Sequence, residues 1–303
     1  MIESILKKAD QFIDKNKRLV GALALFYAAS LVTKSLGKVL GFINRQFIPG
    51  YNLIQRYGKG SYAAISACTD ARRGFNLVML IRNVKKGEAL AEEIRKTINK
   101  EIDIQIVEVD FQAIQNPGAI EAIVEKVKGL DISILVNNVG YLIGGSFEKQ
   151  TYSQINNIIS MNVGAQALLT RGLISQLLNR KQKSAIINLS SMSSYLIFAG
   201  FAMYGGTKSF NDYFSRSLSE EYKGKLDVLS VKPGWVNTPM TDGIPGKFLE
   251  ITPEQCASNI LKQLGRTNLT FGHYKHEMTA FVNYLTIDMI NNLQRKNMQS
   301  AIK

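Results

Sequence analysis

Cysteine and histidine are almost missing from this chain, two of each in 303 residues. Cys68 and Cys256 are too few and too far apart for a disulfide framework or a metal knuckle, so a reducing compartment is expected. Both thiols are expected to pack as small apolar groups. His273 and His276 lack a third ligand at metal-binding spacing, which argues against a histidine-based metal centre. Acids are also in deficit, 24 against 37 Lys and Arg, for a formal charge of +13. Nucleic acid is the usual partner of such a charge, but no basic stripe interleaved with aromatics appears, and none is expected here. Internal repeats and low-complexity tracts are absent. What remains, with 46% hydrophobic residues, is enough for one α/β domain of about 250 residues plus an appendage.

The charge is unevenly placed. Residues 1–60 carry ten Lys or Arg and three acids, +7 of the total, and they flank the uncharged run Leu19 to Thr33. Fifteen residues fall short of the roughly twenty that a spanning helix needs. The run reaches that length if it continues to Ile43, with Lys34 and Lys38 snorkelling from one face. No small-residue cleavage pattern follows it, so a membrane anchor is the preferred reading over a signal peptide. Basic residues beside an apolar segment also suit an anionic membrane surface. Five Lys or Arg on either side give no orientation.

The chemistry-bearing stretch runs from Ser191 to Lys208. Tyr204 and Lys208 are four apart, which on a helix places both side chains on one face. A phenol titrates near 10, and a neighbouring ammonium is expected to stabilise its phenolate. Ser191 follows the apolar run Ala185 to Leu189, which reads as a buried strand. Its hydroxyl is therefore expected at a strand's carboxyl end, where open α/β sheets bind ligands.

Four motifs in order carry a resemblance: Asn137-Asn138-Val139-Gly140, Met161-Asn162-Val163, Ser191 with Tyr204 and Lys208, and Pro233-Gly234-Trp235-Val236-Asn237-Thr238. Together they resemble the short-chain dehydrogenase/reductase family, from about Tyr57 to Phe271. The lead-in from Tyr57 to Tyr62, Arg73 to Asn76 and the residues around Asn137 look like its microsomal 3-ketoacyl-CoA reductase and 17β-hydroxysteroid dehydrogenase branch. The resemblance implies a Rossmann-like doubly wound parallel sheet, a nicotinamide cofactor and carbonyl reduction. It implies that Tyr204 donates the proton, that Ser191 hydrogen-bonds the carbonyl oxygen, and that Lys208 lowers the Tyr pKa and grips the ribose. It implies that Asn162 closes a proton relay through water. Cofactor contacts would fall on Arg82, Asp110, Asn137, Gly140, Tyr204, Lys208, Val236 and Thr238. Arg82 stands where an acid would bind a ribose 2′-hydroxyl, and an Arg there suits a 2′-phosphate, so NADPH is expected. The branch also implies attachment to the endoplasmic reticulum membrane and a lipid-linked ketone, a 3-oxoacyl-CoA or a 17-ketosteroid. A homodimer or a membrane enzyme complex is the assembly to look for.

One departure outweighs any single match. The family's first strand runs into Thr-Gly-x-x-x-Gly-x-Gly and a helix of some three turns, whereas here Ser66-Ala67-Cys68-Thr69-Asp70 passes straight into Ala71-Arg72-Arg73-Gly74-Phe75. The glycines let a backbone approach a pyrophosphate, and the helix amino terminus offers free N–H groups and partial positive charge. A parallel crossover takes about a dozen residues or more. Strands near Ala63 to Cys68 and Asn76 to Ile81 are therefore expected not to keep neighbouring places in a parallel sheet. The first βαβ unit is defective, and a catalytically inactive, membrane-attached scaffold or assembly subunit stands as the alternative function. Three segments result: an N-terminal basic segment and anchor over 1–48, the reductase domain over 49–272, and a C-terminal amphipathic helix over 273–303.

Overall fold

The computed structural model describes residues 15–66, 74–98, 101–242 and 249–282. The chain divides into two compact units, Met1–Pro49 and Gly50–Lys303. In the first unit, helix α1 (Lys17–Phe47) runs 31 residues, about 46 Å at 1.5 Å per residue. Leu23, Leu25, Phe26, Tyr27, Val32 and Phe47 are all exposed on it. By length and composition it can cross a membrane.

The second unit is built on a seven-stranded parallel sheet in the order β3-β2-β1-β4-β5-β6-β7. The strands are β1 (Tyr62–Ser66), β2 (Asn76–Ile81), β3 (Ile104–Glu108), β4 (Ile132–Asn137), β5 (Ser184–Leu189), β6 (Leu226–Val231) and β7 (Leu269–Thr270). Their near-continuous apolar sequences follow from burial on both faces. Ala63, Ile65, Leu77, Met79, Ile134, Ile187 and Leu229 face one core, which also takes Leu53, Ala91, Ile94, Cys256 and Ile260 from helices. Ala64, Val78, Leu80, Leu135, Ile186 and Val228 face the other, packed by Ile123, Val127, Leu169, Leu173 and Leu218. That alternation is the period-2 pleat of a sheet covered on two sides.

The helices of this unit, in chain order, are α2 (Leu53–Tyr57), α3 (Val84–Thr97), α4 (Ala119–Val127), α5 (Tyr152–Ile159), α6 (Ala165–Leu178), α7 (Ala202–Glu221) and α8 (Pro253–Gln263). Thr151 and Thr252 each open a helix through a complete capping box, with Gln154 and Gln255 reaching back. Helix α4 begins at Ala119 behind Gly118, whose φ of 80° places it in the left-handed region that glycine adopts at no cost. The amino edge of the sheet is fastened by charge. Arg56 pairs with Asp227 at 2.7 Å and Arg180 with Asp131 at 2.6 Å.

The connection from β1 to β2 corrects an expectation. The strands are direct parallel neighbours, Ala63 opposite Leu77 and Ser66 opposite Leu80. Ten backbone steps from Ser66 to Asn76 can reach about 33 Å when extended. Returning along a five-residue strand and across one strand spacing needs only about 17 Å. The dozen-residue minimum belongs to crossovers that carry a helix, and the span needed here lies within the reach of the shorter connection. Residues 67–73, with Cys68 and the place of the Gly-rich turn, lie outside the described residues, as do Tyr284 to Ile290 of the expected C-terminal helix. Residues 274–282 are helical.

Candidate active site

The carboxyl ends of β4 and β5 gather the polar side chains. Asn137 closes β4 and donates from Nδ2 to Asn188 Oδ1 at 2.8 Å and to Thr170 Oγ1 at 3.1 Å. Asn188 in turn donates to Ser215 Oγ at 2.9 Å, so a buried ladder ties both strand ends to α6 and α7. Ser66, at the end of β1, accepts the N–H groups of Asn138 and Val139 at 2.9 and 3.1 Å. The hydroxyl thereby fixes the Asn137–Gly140 turn from the neighbouring strand. Nothing in the sequence motif singled Ser66 out.

Ser191 follows β5 and caps the short turn Met192–Ser194, its Oγ accepting from the N–H of Ser193 at 3.2 Å and from its hydroxyl at 2.9 Å. Helix α7 docks on this turn. Ser209 Oγ donates to the Ser194 carbonyl at 2.8 Å, and a Cβ on Gly205 would lie 3.2 Å from the Ser193 carbonyl oxygen. Glycine at 205 is what lets the helix come this close. The docking brings Tyr204 beside Ser191, whose hydroxyl bears on the titration of the phenol. Lys208 lies one turn further along, 5% exposed. Its Nζ donates to the Leu189 carbonyl at 2.8 Å and stands 5.7 Å from the Tyr204 ring centre.

Asn162 arrives from a different element. It sits in a single π-helical turn, Ser160–Gly164, inserted between α5 and α6, a distortion that recurs at functional positions. The helical run from α5 to α6 is therefore interrupted at this residue. Its Nδ2 donates to the Tyr141 carbonyl and to Thr207 Oγ1, each at 3.0 Å, and its Oδ1 accepts from Tyr141 N–H at 2.6 Å. Asn162 thus ties the turn after β4 to the helix that carries Tyr204 and Lys208. A Cβ on Gly140 would meet Asn162 Oδ1 at 3.5 Å and Lys208 Nζ at 3.6 Å, so the bare glycine backbone borders both.

The electrostatics differ from the expected pairing. Burial raises the Tyr204 phenol above its ordinary value, and the Ser191 hydrogen bond opposes this. Burial also lowers the Lys208 ammonium to about 8. Burial thus pushes both groups toward their neutral forms.

The remaining expected residues separate into two groups. Val236 and Thr238 lie on the stretch after β6, where Met192 N–H donates to the Pro233 carbonyl at 3.0 Å and Val236 bridges to Ile251. Thr238 is held within its own turn, its carbonyl accepting from Thr241 N–H at 2.9 Å. Arg82 and Asp110 stand at the same carboxyl edge, both exposed, behind β2 and β3. Arg82 follows β2, three strand spacings from β5, or roughly 14 Å. Asp110 caps a turn by accepting Gln112 N–H at 3.0 Å. These two do not join the Tyr204 group.

A doubly wound sheet with Asn, Ser, Tyr and Lys at its carboxyl edge defines a dehydrogenase of the short-chain class. The chain belongs to that family, since the short chain dehydrogenase model matches residues 64–247. Among its relatives is the zebrafish (Danio rerio) very-long-chain 3-oxoacyl-CoA reductase-A, 30% identical over 295 residues and 89% of each chain. The human (Homo sapiens) inactive hydroxysteroid dehydrogenase-like protein 1 is 31% identical, covering 87% of this chain and 86% of its own. A solved structure from work on 7beta-hydroxysteroid dehydrogenase stereoselectivity shares the fold. It has a TM-score of 0.70 at 23% identity, over 80% of this chain and 99% of the other.

A family of dehydrogenases implies a nicotinamide dinucleotide, and its two ends meet different conditions here. At the nicotinamide end the fit is good. Gly140 leaves a bare backbone bordered by Asn162 and Lys208, and Asn137 Oδ1 is buried without a partner. At the pyrophosphate end the residues do not fit. Between Ser66 and Phe75 the only glycine is Gly74, placed against β2 rather than after β1. A return that short has no length for a three-turn helix whose amino terminus could face phosphate.

Proposed function

We propose that this chain carries the site of a lipid-ketone reductase, reducing 3-oxoacyl-CoA to 3-hydroxyacyl-CoA in very-long-chain fatty acid elongation, with a 17-ketosteroid as the competing substrate. The observation that carries the reading is the convergence of Ser191 on Tyr204 with Lys208 buried behind them. A bound NADPH would supply the hydride, and the exposed Arg82 at the end of β2, with no acid beside it, suits its 2′-phosphate. Tyr204 holds the proton destined for the carbonyl oxygen, and its raised pKa keeps it protonated at neutral pH. Ser191 lies beside Tyr204, where its hydroxyl can hydrogen-bond a carbonyl oxygen. Lys208 is poised near neutrality to return a proton to the phenol, and Asn162 holds the turn and helix in register on its relay side.

The zebrafish reductase supports this substrate class by its likeness over most of both chains. Attachment to the endoplasmic reticulum membrane through α1, with the domain in a reducing compartment, is the setting this reading implies. A homodimer or a membrane enzyme complex is its proposed assembly. The short β1–β2 connection, without the Gly-rich turn in its sequence, favours a second reading, in which this exact chain binds nucleotide weakly and serves as a membrane-attached scaffold or assembly subunit. The inactive human relative is consistent with that direction.

The deciding experiment is NADPH oxidation by the purified full chain in lipid nanodiscs, with a 3-oxoacyl-CoA as substrate. Turnover at high NADPH that drops about 10²–10⁴-fold in Tyr204→Phe supports the reductase. A folded chain with no turnover at any nucleotide concentration supports the scaffold.

A further inference from the structure

His276 does work that no motif assigns to it. It is 1% exposed, yet it comes from residues 274–282, far in sequence from the Ser191–Lys208 group. Its Nδ1 accepts the N–H of Gly234 at 3.2 Å. Gly234 is clasped between two neighbours: a Cβ there would lie 2.9 Å from His276 Cδ2 and 3.0 Å from Met192 Sδ. Met192 is the residue after Ser191, and its own N–H holds the Pro233 carbonyl. The stretch that crosses the site is therefore held by the Ser191 turn from one side and by the imidazole from the other.

The contact also sits at the base of an excursion. Ile251 N–H donates to the Trp235 carbonyl at 3.1 Å and Asn237 N–H to the Ile251 carbonyl at 2.9 Å. Burial holds the His276 imidazole below its ordinary value, against the opposing effect of the backbone at Phe271, Trp235 and Leu249. Leu249 has a φ of 59°, the one non-glycine residue in the left-handed region among the described residues. A buried ring that meets backbone on both strands of this base fixes where Val236 and Thr238 lie.

We propose that His276 is a positioning residue, which as a neutral imidazole accepting from Gly234 holds the Pro233–Thr238 stretch in register with Ser191. A protonated imidazole has no acceptor and would release the Gly234 N–H. The tautomer is thereby fixed, with the proton on Nε2, a nitrogen that is buried without a partner of its own. The titratable neighbour acting on the ring is His273, 6.4 Å away between ring centres, which burial and then Lys275 hold low. The loop side presents carbonyls and the Met192 thioether. The functional importance of this register rests on the reductase reading, but the bond itself does not.

Composition makes the test clean, because the chain has two histidines and one tryptophan, Trp235, next to Gly234. In the full chain in detergent micelles, labelled with ¹⁵N-histidine at neutral pH, His276 is expected as the Nε2–H tautomer with an unprotonated Nδ1. An Nδ1–H tautomer overturns the proposal, and this arm needs no variant. In His276→Asn the amide oxygen can take the place of Nδ1, whereas in His276→Gln it falls near Nε2. Trp235 emission and acrylamide quenching are expected to stay as in the parent in His276→Asn. In His276→Gln quenching should rise about two-fold or more, with Gly234 amide exchange about tenfold faster at matched Tm. Acidification should shift Trp235 emission in the parent and leave His276→Asn unmoved. Equal behaviour of the two variants overturns the proposal. Because these readouts need neither NADPH nor turnover, their failure is distinguishable from failure of the reductase reading.

Discussion

Lys208 Nζ lies 2.8 Å from the Leu189 carbonyl oxygen and 5.7 Å from the centre of the Tyr204 ring. The amine is thus committed to the end of β5, and burial dominates its titration, lowering it to about 8. An unfolded lysine titrates near 10.4, so between about pH 8 and 10.4 the unfolded chain binds more protons than the folded one. Stability should rise with pH across that window, and below it the cost of the buried ammonium is fully present.

Lys208→Met is therefore expected to stabilise the domain at pH 7 by about 1–3 kcal/mol, a gain that should shrink by pH 10. The Leu189 carbonyl keeps Asn211 Nδ2 at 3.4 Å, so the substitution leaves it a partner. Urea unfolding at pH 7 and pH 10 checks both parts. A variant less stable than the parent at pH 7 contradicts the expectation.

Asp212, one turn beyond Lys208, holds three groups at once. It accepts from Ser230 Oγ at 2.8 Å, Lys232 Nζ at 3.3 Å and Arg216 at 3.2 Å. Lys232 is 8% exposed and stands 5.3 and 5.6 Å from the ring centres of Tyr195 and Phe271. Asp212→Ala strands that ammonium and should cost about 3–5 kcal/mol in chemical unfolding. Pairing it with Lys232→Met should recover most of the loss, and an additive double variant would show the pair to be uncoupled.

Ser66→Ala removes the acceptor shared by Asn138 and Val139 N–H. A loss of about 1–3 kcal/mol is expected, with faster amide exchange at those two positions. Unchanged exchange there would mean the turn after β4 does not depend on β1.

Much of this site was legible because periodicity carried it. The four-residue spacing of Tyr204 and Lys208 fixes a shared helix face whatever the surroundings, and the apolar run before Ser191 marks a buried strand. The capping boxes at Thr151 and Thr252 were equally local. What could not be read depends on distant groups. Ser66 acts on a turn more than seventy positions away, and His276 reaches Gly234 across 42. The titration of Lys208 follows from the depth at which it lies, which spacing does not encode. The parallel pairing of β1 and β2 is not legible in so short a connection, because the dozen-residue rule describes crossovers that carry a helix.

The account predicts a site intact at its nicotinamide end and deprived of its pyrophosphate cradle. Calorimetric titration of NADPH tests it directly. The titration is run on the 303-residue chain and on a version with a Gly-rich turn and three-turn helix inserted after Asp70, both in nanodiscs. The 303-residue chain is expected to bind at least about 100-fold more weakly, a gap of roughly 2.7 kcal/mol. Equal and tight binding by the two would contradict the account.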